Sequence, residues 1–272
     1  MRIARLILPA ALALCVVQPA TAGTTLIPHR AVYDLALDQA TDRSGITGLS
    51  GRMVYEFNGS PCDGYTVTFR FVTRIDTSES SRMTDQQTTT FEDGAGKSFS
   101  FVTRSYIDQA LDKELRGTAR RQDSETVVAL ERPDRQELRL AQTQFPTQHL
   151  IELLTKAEDG ETFYETTIFD GSENADQIMT TTVIVGREAR ARAGDPELAA
   201  IKPLEGDPFW PVDIAYFDMA DGEGEELPVY RISFKLHESG VTRDLTMDYG
   251  DFSMTGQLVD LAMFEAPEPC AE

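Results

Sequence analysis

The feature of this sequence that most restricts its fold is a hydrophobic period of two. Along residues 65–71 the odd positions are Tyr, Val, Phe and Phe, whereas the even positions are Thr, Thr and Arg. Residues 230–236 alternate in the same way, and shorter stretches around Phe99 and Leu245 repeat the pattern. Such alternation places one face of a strand on a core and the other in water, as in antiparallel sheets. A mainly β fold is therefore expected.

Turn-forming pairs separate these alternating runs. Asn58-Gly59, Asp170-Gly171 and Ser239-Gly240 are examples, and such pairs favour tight turns between neighbouring strands. The sequence predicts about fourteen strands, at residues 29–38, 46–57, 65–78, 83–92, 98–106, 112–120, 125–131, 135–141, 161–169, 176–188, 212–218, 228–238, 241–249 and 251–260.

One segment has a helical period instead. Leu150, Leu153, Leu154 and Ala157 follow the i, i+3, i+4, i+7 spacing of a single apolar stripe. Pro146 is expected at or just before the start of this helix and Gly160 just after its end. A short amphipathic helix of this kind is expected to pack on a face of the sheet.

Residues 189–208 interrupt the strand pattern with small residues and prolines. The segment is predicted to be a long loop or a short helix between two sheet regions. A domain boundary is the alternative, but the strand pattern is alike on both sides. We therefore predict a single domain over residues 23–272.

Residues 1–22 have the order of a secretory signal. Arg2 and Arg5 precede an apolar run over residues 6–17, and Ala20-Thr21-Ala22 offers small residues at the cleavage site. The apolar run is shorter than the roughly 20 residues that a membrane-spanning helix needs. The pattern predicts export, cleavage after Ala22 and a non-cytoplasmic mature protein without a transmembrane segment.

Cleavage changes the cysteine count. A lipoprotein signal would use Cys15, but Leu14 before it is not a small residue. Loss of Cys15 with the signal leaves Cys62 and Cys270, an even number in an exported protein, which favours a disulfide. Two unpaired thiols and a metal site are the alternatives, and the second lacks any CxxC or Cys/His cluster to complete it.

Charge argues against two classes of partner. The chain has 25 Lys and Arg against 45 Asp and Glu, a net charge of −20. Such a charge repels phosphate at long range and disfavours nucleic acid and anionic membrane surfaces. We expect no nucleic-acid partner, and a monomer rather than an oligomer.

Motifs for catalysis, cofactors and metals are missing from the local sequence. His29, His149 and His237 have no ligand partner at metal spacing, and the chain contains no G-x-S-x-G elbow, P-loop or G-x-G-x-x-G run. The acidic run that begins at Asp218 and continues through Asp221, Glu223, Glu225 and Glu226 lacks the pattern of a calcium loop. Trp210 is either a ligand-stacking platform or, as we prefer, a core anchor. We expect no catalytic, cofactor or metal residues.

Several segments resemble one known family. They are His29–Leu35, Gly51–Glu56, Cys62–Tyr65, Phe145–His149, Phe169–Glu173, Trp210–Val212, Leu236–Val241, Asp248–Phe252 and the final Cys270. In this order they resemble the EipB family of cell-envelope integrity proteins, which are periplasmic proteins of α-proteobacteria. The resemblance covers nearly the whole chain after the signal.

The resemblance has structural and functional implications. It implies a large antiparallel sheet curled into a spiral-like, open half barrel with a few short helices, and a disulfide between Cys62 and Cys270. It also implies a role in maintaining the envelope. Our leading hypothesis is a non-enzymatic periplasmic factor that binds an envelope component or a partner protein. A lipid or lipoprotein carrier and a hydrolase of envelope glycans are the alternatives.

Overall fold

The structure is a computed structural model that describes residues 26–172, 174–218, 227–268 and 270. The predicted signal at 1–22, Cys15 and the acidic run from Asp221 to Glu226 lie outside the described residues. The strands are β1 (His29–Ala40), β2 (Ile46–Ser60), β3 (Gly64–Thr77), β4 (Ser81–Glu92), β5 (Ser98–Ile107), β6 (Ala110–Arg121), β7 (Glu125–Arg132), β8 (Gln136–Ala141), β9 (Phe163–Ile168), β10 (Met179–Val185), β11 (Phe209–Asp218), β12 (Tyr230–His237), β13 (Thr242–Asp248) and β14 (Phe252–Met263). The helix α1 spans Pro146–Glu158, and 3₁₀ turns occupy Asp42–Ser44 and Lys202–Leu204.

All fourteen strands belong to one antiparallel sheet with the order β8-β7-β6-β5-β4-β3-β2-β1-β14-β13-β12-β11-β10-β9. The chain builds β2 to β8 outward from β1 on one side. It then crosses through α1 to the opposite edge and returns through β9 to β14, which pairs with β1. The first and last strands therefore lie side by side in the middle of the sheet, and the mainly β prediction is confirmed.

The sheet curls until its two edges approach each other. The amide of Phe169, just after edge strand β9, donates to the carbonyl of Gln144, just after edge strand β8, at 3.0 Å. The Phe169 ring also lies 5.9 Å from the Phe101 ring on β5. Strands β8 and β9 themselves form no ladder in the described part of the chain. The result is the open, curled sheet that the family resemblance implied.

Helix α1 lies where the sequence predicted it and fills part of the concavity. Pro146 is its first residue, and Gly160 follows its end with a φ of 78°. Leu153, Leu154 and Ala157 are buried in the main hydrophobic core together with inner residues of both halves of the sheet. The apolar stripe therefore packs on the concave face of the sheet.

Strand β11 begins three residues earlier than predicted, so that it includes Trp210. Proline is unusual inside a strand because it cannot donate to a ladder. In the structure β10 ends at Val185, opposite Val212. The missing N–H of Pro211 therefore breaks no hydrogen bond to β10, and β11 extends back to Phe209 along β12.

Residues 189–208, called the strap below, form a loop with one 3₁₀ turn, as predicted. Ala189 pairs with Phe209 in an isolated bridge where the strap begins and β11 starts. Ile201 and Leu204 of the strap are buried in the main core. The strap therefore belongs to the same folded body as the sheet. No helix in the described ranges is long and apolar enough to cross a membrane.

Candidate functional site

A groove of about 500 Å³ lies on the concave face of β3 to β6. Two kinds of side chain face it, apolar ones mainly from β2 and β3 and polar ones mainly from β4 and β5. The lining residues are Tyr55, Val67, Phe69, Gln86, Thr88, Thr90, Thr103, Ser105, Lys113, Leu115, Pro146, Asp170, Gly171 and Ser172. We call this cavity the groove.

The two-sided character of the groove follows from strand register. Phe69 pairs with Thr88, Thr88 pairs with Thr103, and Thr103 pairs with Leu115, so one row of inner positions crosses four strands. Directly paired residues point to the same face of a sheet. The row therefore changes from an aromatic ring to hydroxyl groups at the boundary between β3 and β4.

Hydroxyl groups in the groove are paired but retain capacity for a ligand. The Thr88 and Thr103 hydroxyl oxygens lie 3.0 Å apart, and only one of the two hydroxyl hydrogens lies between them. The other hydrogen and the remaining lone pairs are available for bonds to another group. Gln86, Thr90 and Ser105 add further donors and acceptors to the same surface. The polar side of the groove can thus form several hydrogen bonds at once.

Aromatic rings line the apolar side and continue beyond it. The rings of Phe69 and Phe71 are stacked, with centroids 5.9 Å apart and an angle of 24° between their planes. On the other half of the sheet, Tyr216 contacts Tyr230 at 5.5 Å. Burial raises the pKa of Tyr216, and the nearby Asp170 carboxylate adds to that rise.

The roof of the groove is the turn at residues 170–172. Gly171 has a φ of 69°, and a Cβ atom at this position would lie 2.8 Å from Cγ of Phe101. No other residue type would fit there without moving the turn. Phe99, Phe101, Phe145 and Phe169 form a second hydrophobic cluster under this roof, with Phe99 and Phe145 stacked at 5.3 Å.

The base of the groove is held by a buried carboxylate. Glu92 at the end of β4 accepts hydrogen bonds from the amides of Thr147 at 2.7 Å and Gln148 at 3.1 Å. These amides belong to the first turn of α1, where the helix has no internal acceptors of its own. A negative charge is also favoured at this end of a helix dipole. Glu92 therefore fixes α1, with Pro146, at the edge of the groove.

Burial sets the proton affinity of Glu92. The side chain is 1% exposed, and burial raises its pKa to about 7, although hydrogen bonds from Thr147 and Gln148 favour the ionised form. The same cause acts in the opposite sense on His149 of α1, whose burial lowers its pKa to about 4. The groove is thus anchored by a carboxylate that titrates near neutrality.

A second set of buried charges lies under the strap. Arg243 of β13 is fully buried, and its Nη1 donates to Asp195 and Glu197 of the strap, each at 3.0 Å. Its Nε donates to Nε2 of His237 at 2.9 Å. The guanidinium also lies 4.9 Å from the centre of the Phe209 ring. These contacts bind the strap to the sheet.

Glu197 also fills a gap in the sheet. Strands β13 and β14 pair only from Leu245 to Asp248, and beyond Leu245 they separate. The Glu197 Oε1 accepts hydrogen bonds from the amides of Asp244 at 3.1 Å and Leu258 at 2.6 Å. One carboxylate thereby replaces the ladder between two strands, which is a structural role.

Another cavity, of about 370 Å³, is lined mainly by β1 and β11 to β14 and carries several carboxylates. Asp38 accepts a hydrogen bond from Ser253 at 2.9 Å, and Asp213 accepts one from Ser233 at 2.6 Å. Arg231 lies 3.7 Å from Asp213. In the described part of the chain no group of three or more His, Cys, Asp or Glu residues is placed to hold a metal ion. The groove is therefore the better candidate site.

The predicted disulfide is confirmed. Cys62, in the turn between β2 and β3, is bonded to Cys270, which follows β14, with Cα atoms 5.5 Å apart. The sequence separation is 208 residues. The bond joins Cys270 to the turn between β2 and β3. This turn lies beside the base of the groove, since the carbonyl oxygen of Pro61 packs against Gly94, two residues after Glu92.

The histidines and the tryptophan considered in the sequence as candidate functional residues do not line the groove. His29, His149 and His237 are all buried, and Trp210 is buried in the main core. Trp210 is therefore a core anchor, as preferred above. Glu92, by contrast, was not anticipated. The sequence offers one signal for Glu92. It is a charged residue at the end of an alternating strand, at a position that faces the core side of the sheet.

Known proteins resemble this chain over most of its length. The EipB-like family model matches residues 20–265. The cell envelope integrity protein EipB of Brucella abortus (strain 2308) is 54% identical over 248 residues, which cover 90% of this chain and 87% of that protein. The crystal structure of a beta-barrel-like protein of domain of unknown function DUF1849 from Brucella abortus matches with a TM-score of 0.85 and 55% identity, covering 89% of this chain and 100% of that chain. With this extent of match and this fold, the chain belongs to the EipB-like family.

Proposed function

We propose that this protein is a periplasmic factor that maintains the cell envelope, and that it acts by binding an envelope component in the groove. The observation that carries the proposal is the 54% identity to a cell envelope integrity protein. The signal pattern of residues 1–22 supports export. The mature protein acts as a monomeric domain of residues 23–272.

The chemistry of the groove supports binding rather than catalysis. Asp170 is the only carboxylate among the described residues that line it, whereas glycoside hydrolysis uses two facing acids. Both oxygens of Glu92 accept hydrogen bonds from α1. His237 lies against Arg243 under the strap, and His149 is buried against Thr181 at 3.4 Å. These groups hold the fold together and are not arranged as an acid, a base and a nucleophile.

The shape of the molecule supports the groove as the binding site. Concave sites with an apolar surface and a few convergent polar groups are the usual places for ligands. Curling of the sheet creates such a site without closing the sheet into a barrel, because the edge strands β8 and β9 do not pair in the part of the chain that the structure describes. The disulfide and Glu92 hold the base of the groove, so that the site is formed before a ligand arrives.

The test is complementation of a strain that lacks its own copy of the gene. Gln86→Trp and Thr88→Trp place an indole in the groove, whereas Thr89→Trp places it on the outer face of the same strand, where Thr89 is exposed. Growth in the presence of detergent and a β-lactam reports envelope integrity, and immunoblots of the periplasmic fraction report protein level.

We expect the wild type and Thr89→Trp to restore growth, and both groove variants to fail at equal periplasmic level. Deletion of residues 2–22 should abolish export and complementation together. Full complementation by both groove variants would refute the groove as the site of action.

A further inference from the structure

The lining of the groove also indicates the class of ligand. We infer that the groove binds an uncharged oligosaccharide, a chain of pyranose rings that hydrogen-bonds to β4 and β5 and stacks on β3. This inference rests on the proposed function of the groove. It follows from three properties of the lining, namely its hydroxyl groups, its aromatic rings and its balance of charge.

Hydroxyl groups disfavour an acyl chain. Gln86, Thr88, Thr90, Thr103 and Ser105 present amide and hydroxyl groups along the inner face of β4 and β5. A hydrocarbon over this surface would remove water from these groups and return no hydrogen bonds, which is unfavourable for each group. A sugar replaces the water with its own hydroxyl groups, which both donate and accept.

The aromatic side of the groove suits the other surface of a sugar ring. Phe69 on β3 and Tyr55 on β2 line this side of the groove, and Phe69 is held by stacking on the neighbouring Phe71 ring. The face of an aromatic ring is electronegative, so it attracts the weakly positive C–H groups on the flat face of a pyranose. A groove with rings on one side and hydroxyl groups on the other therefore matches the two kinds of surface of a sugar.

Charge separates a neutral saccharide from a phosphorylated one. Lys113 and Asp170 are the only charged side chains among the described lining residues, and their charges are opposite. Lys113 already donates to the side chain of Asn174 at 3.0 Å. The chain as a whole carries a net charge of −20, which repels polyanions. An uncharged chain meets neither obstacle.

Backbone pairing argues against a peptide. Peptides commonly bind β proteins by adding a strand to a free edge. Strands β3, β4, β5 and β6 are each paired on both sides. The floor of the groove therefore offers side chains and no free ladder, which favours a ligand recognised through hydroxyl groups and rings.

The test removes the hydroxyl groups without changing shape. In the double variant Thr88→Val with Thr103→Val, a sugar loses hydrogen-bond partners, whereas an acyl chain gains an apolar surface. Thr89→Val, on the outer face, is the matched control. The purified mature protein is titrated by calorimetry with chitotetraose, cellotetraose, palmitate and an alanine-glycine octapeptide, and circular dichroism checks the fold of each variant.

We expect at least one of the two saccharides to bind the wild type and Thr89→Val equally, and the double variant about tenfold more weakly. Palmitate binding that strengthens in the double variant would overturn the inference in favour of a lipid ligand, and octapeptide binding without saccharide binding would overturn it in favour of a peptide. If none of the four probes binds while the groove variants still fail to complement, the oligosaccharide inference is refuted and the proposed function stands.

Discussion

The concave face of the sheet carries different residue types in its two halves. In the half formed by β9 to β14, the inner positions are apolar and buried against α1 and the strap, as Val183, Ile214, Phe234 and Leu236 show. In the half formed by β2 to β8, inner positions such as Thr103 carry hydroxyl groups and border the groove. We call these the filled half and the grooved half. The comparison teaches that the residue type at inner positions, rather than the period itself, determines whether a concave face is packed or left open.

The covalent link between the two halves should give the largest effect. Replacing Cys62 and Cys270 by Ser releases a loop of more than 200 residues, which costs about 5 kcal/mol in the chain-entropy model. We expect the melting temperature of the double variant to fall by about 10 °C in a protein of this size. Calorimetric scans check this. Wild-type protein in a reducing buffer should melt near the temperature of the double variant. If the double variant melted at the temperature of the oxidised wild type, the prediction would be contradicted.

The next effect should come from the charges under the strap in the filled half. Arg243→Met leaves Asp195 and Glu197 without their buried partner, and breaking such a pair typically costs 3–5 kcal/mol. Urea unfolding of the mature protein should therefore show a loss of about 4 kcal/mol.

Arg104→Met in the grooved half is the matched control. Arg104 pairs with Glu114 at 3.1 Å while its side chain remains 48% exposed, and exposed pairs contribute less than about 1 kcal/mol. Equal losses in the two variants would mean that the strap is not held by its buried charges.

The sequence predicted the framework of both halves well. A period of two fixes which residues share a face, so the fourteen strands and their antiparallel sheet could be predicted before the structure. The curl of that sheet was implied only by the family resemblance. The helix was equally clear, because Leu150, Leu153 and Leu154 share one stripe and Pro146 and Gly160 mark its ends. These are local signals, and short-range sequence patterns contain them.

Contacts between distant segments could not be predicted in the same way. Glu92 meets α1 across 55 residues and Arg243 meets Glu197 across 46, and no periodicity indicates either pair. No local sequence pattern predicts that Gly171 packs against Phe101. The groove itself arises from how far the sheet curls, which depends on the packing of α1 and the second hydrophobic cluster. Site geometry therefore required the structure.

The pH dependence of Glu92 should give a smaller effect at the junction between the halves. Its pKa is raised to about 7 by burial, above an unfolded value of about 4.3. At pH values between these two pKa values, Glu92 is protonated in the folded state and ionised in the unfolded state. Its contribution to stability is therefore largest at low pH and is lost as the pH rises through about 7. This trend opposes that of His149, whose lowered pKa destabilises the folded state as the pH falls below about 6.5.

Comparison with Glu92→Gln isolates this contribution, because the histidines are common to both proteins. The difference in unfolding free energy between wild type and variant should change by about 3 kcal/mol from pH 4 to pH 8. The wild type becomes less stable relative to the variant as the pH rises. Urea unfolding in steps of pH measures it. A difference that stays constant across this range would show that Glu92 does not titrate in the folded protein near neutrality.

The smallest effect compares one threonine from each half. Thr181 on β10 is fully buried, and its hydroxyl donates to the carbonyl of Thr166 at 3.3 Å and lies 3.4 Å from Nε2 of His149. Thr181→Val removes this donor where water cannot replace it, so we expect a loss of about 1 kcal/mol. Thr103→Val removes a hydroxyl in the grooved half, and Thr88 can bond to water in the open groove instead, so the change should stay within about 0.5 kcal/mol. Paired urea titrations of the two variants measure the contrast. If Thr103→Val were the more destabilising, the hydroxyl groups of the groove would serve packing, and their availability to a ligand would lose its physical basis.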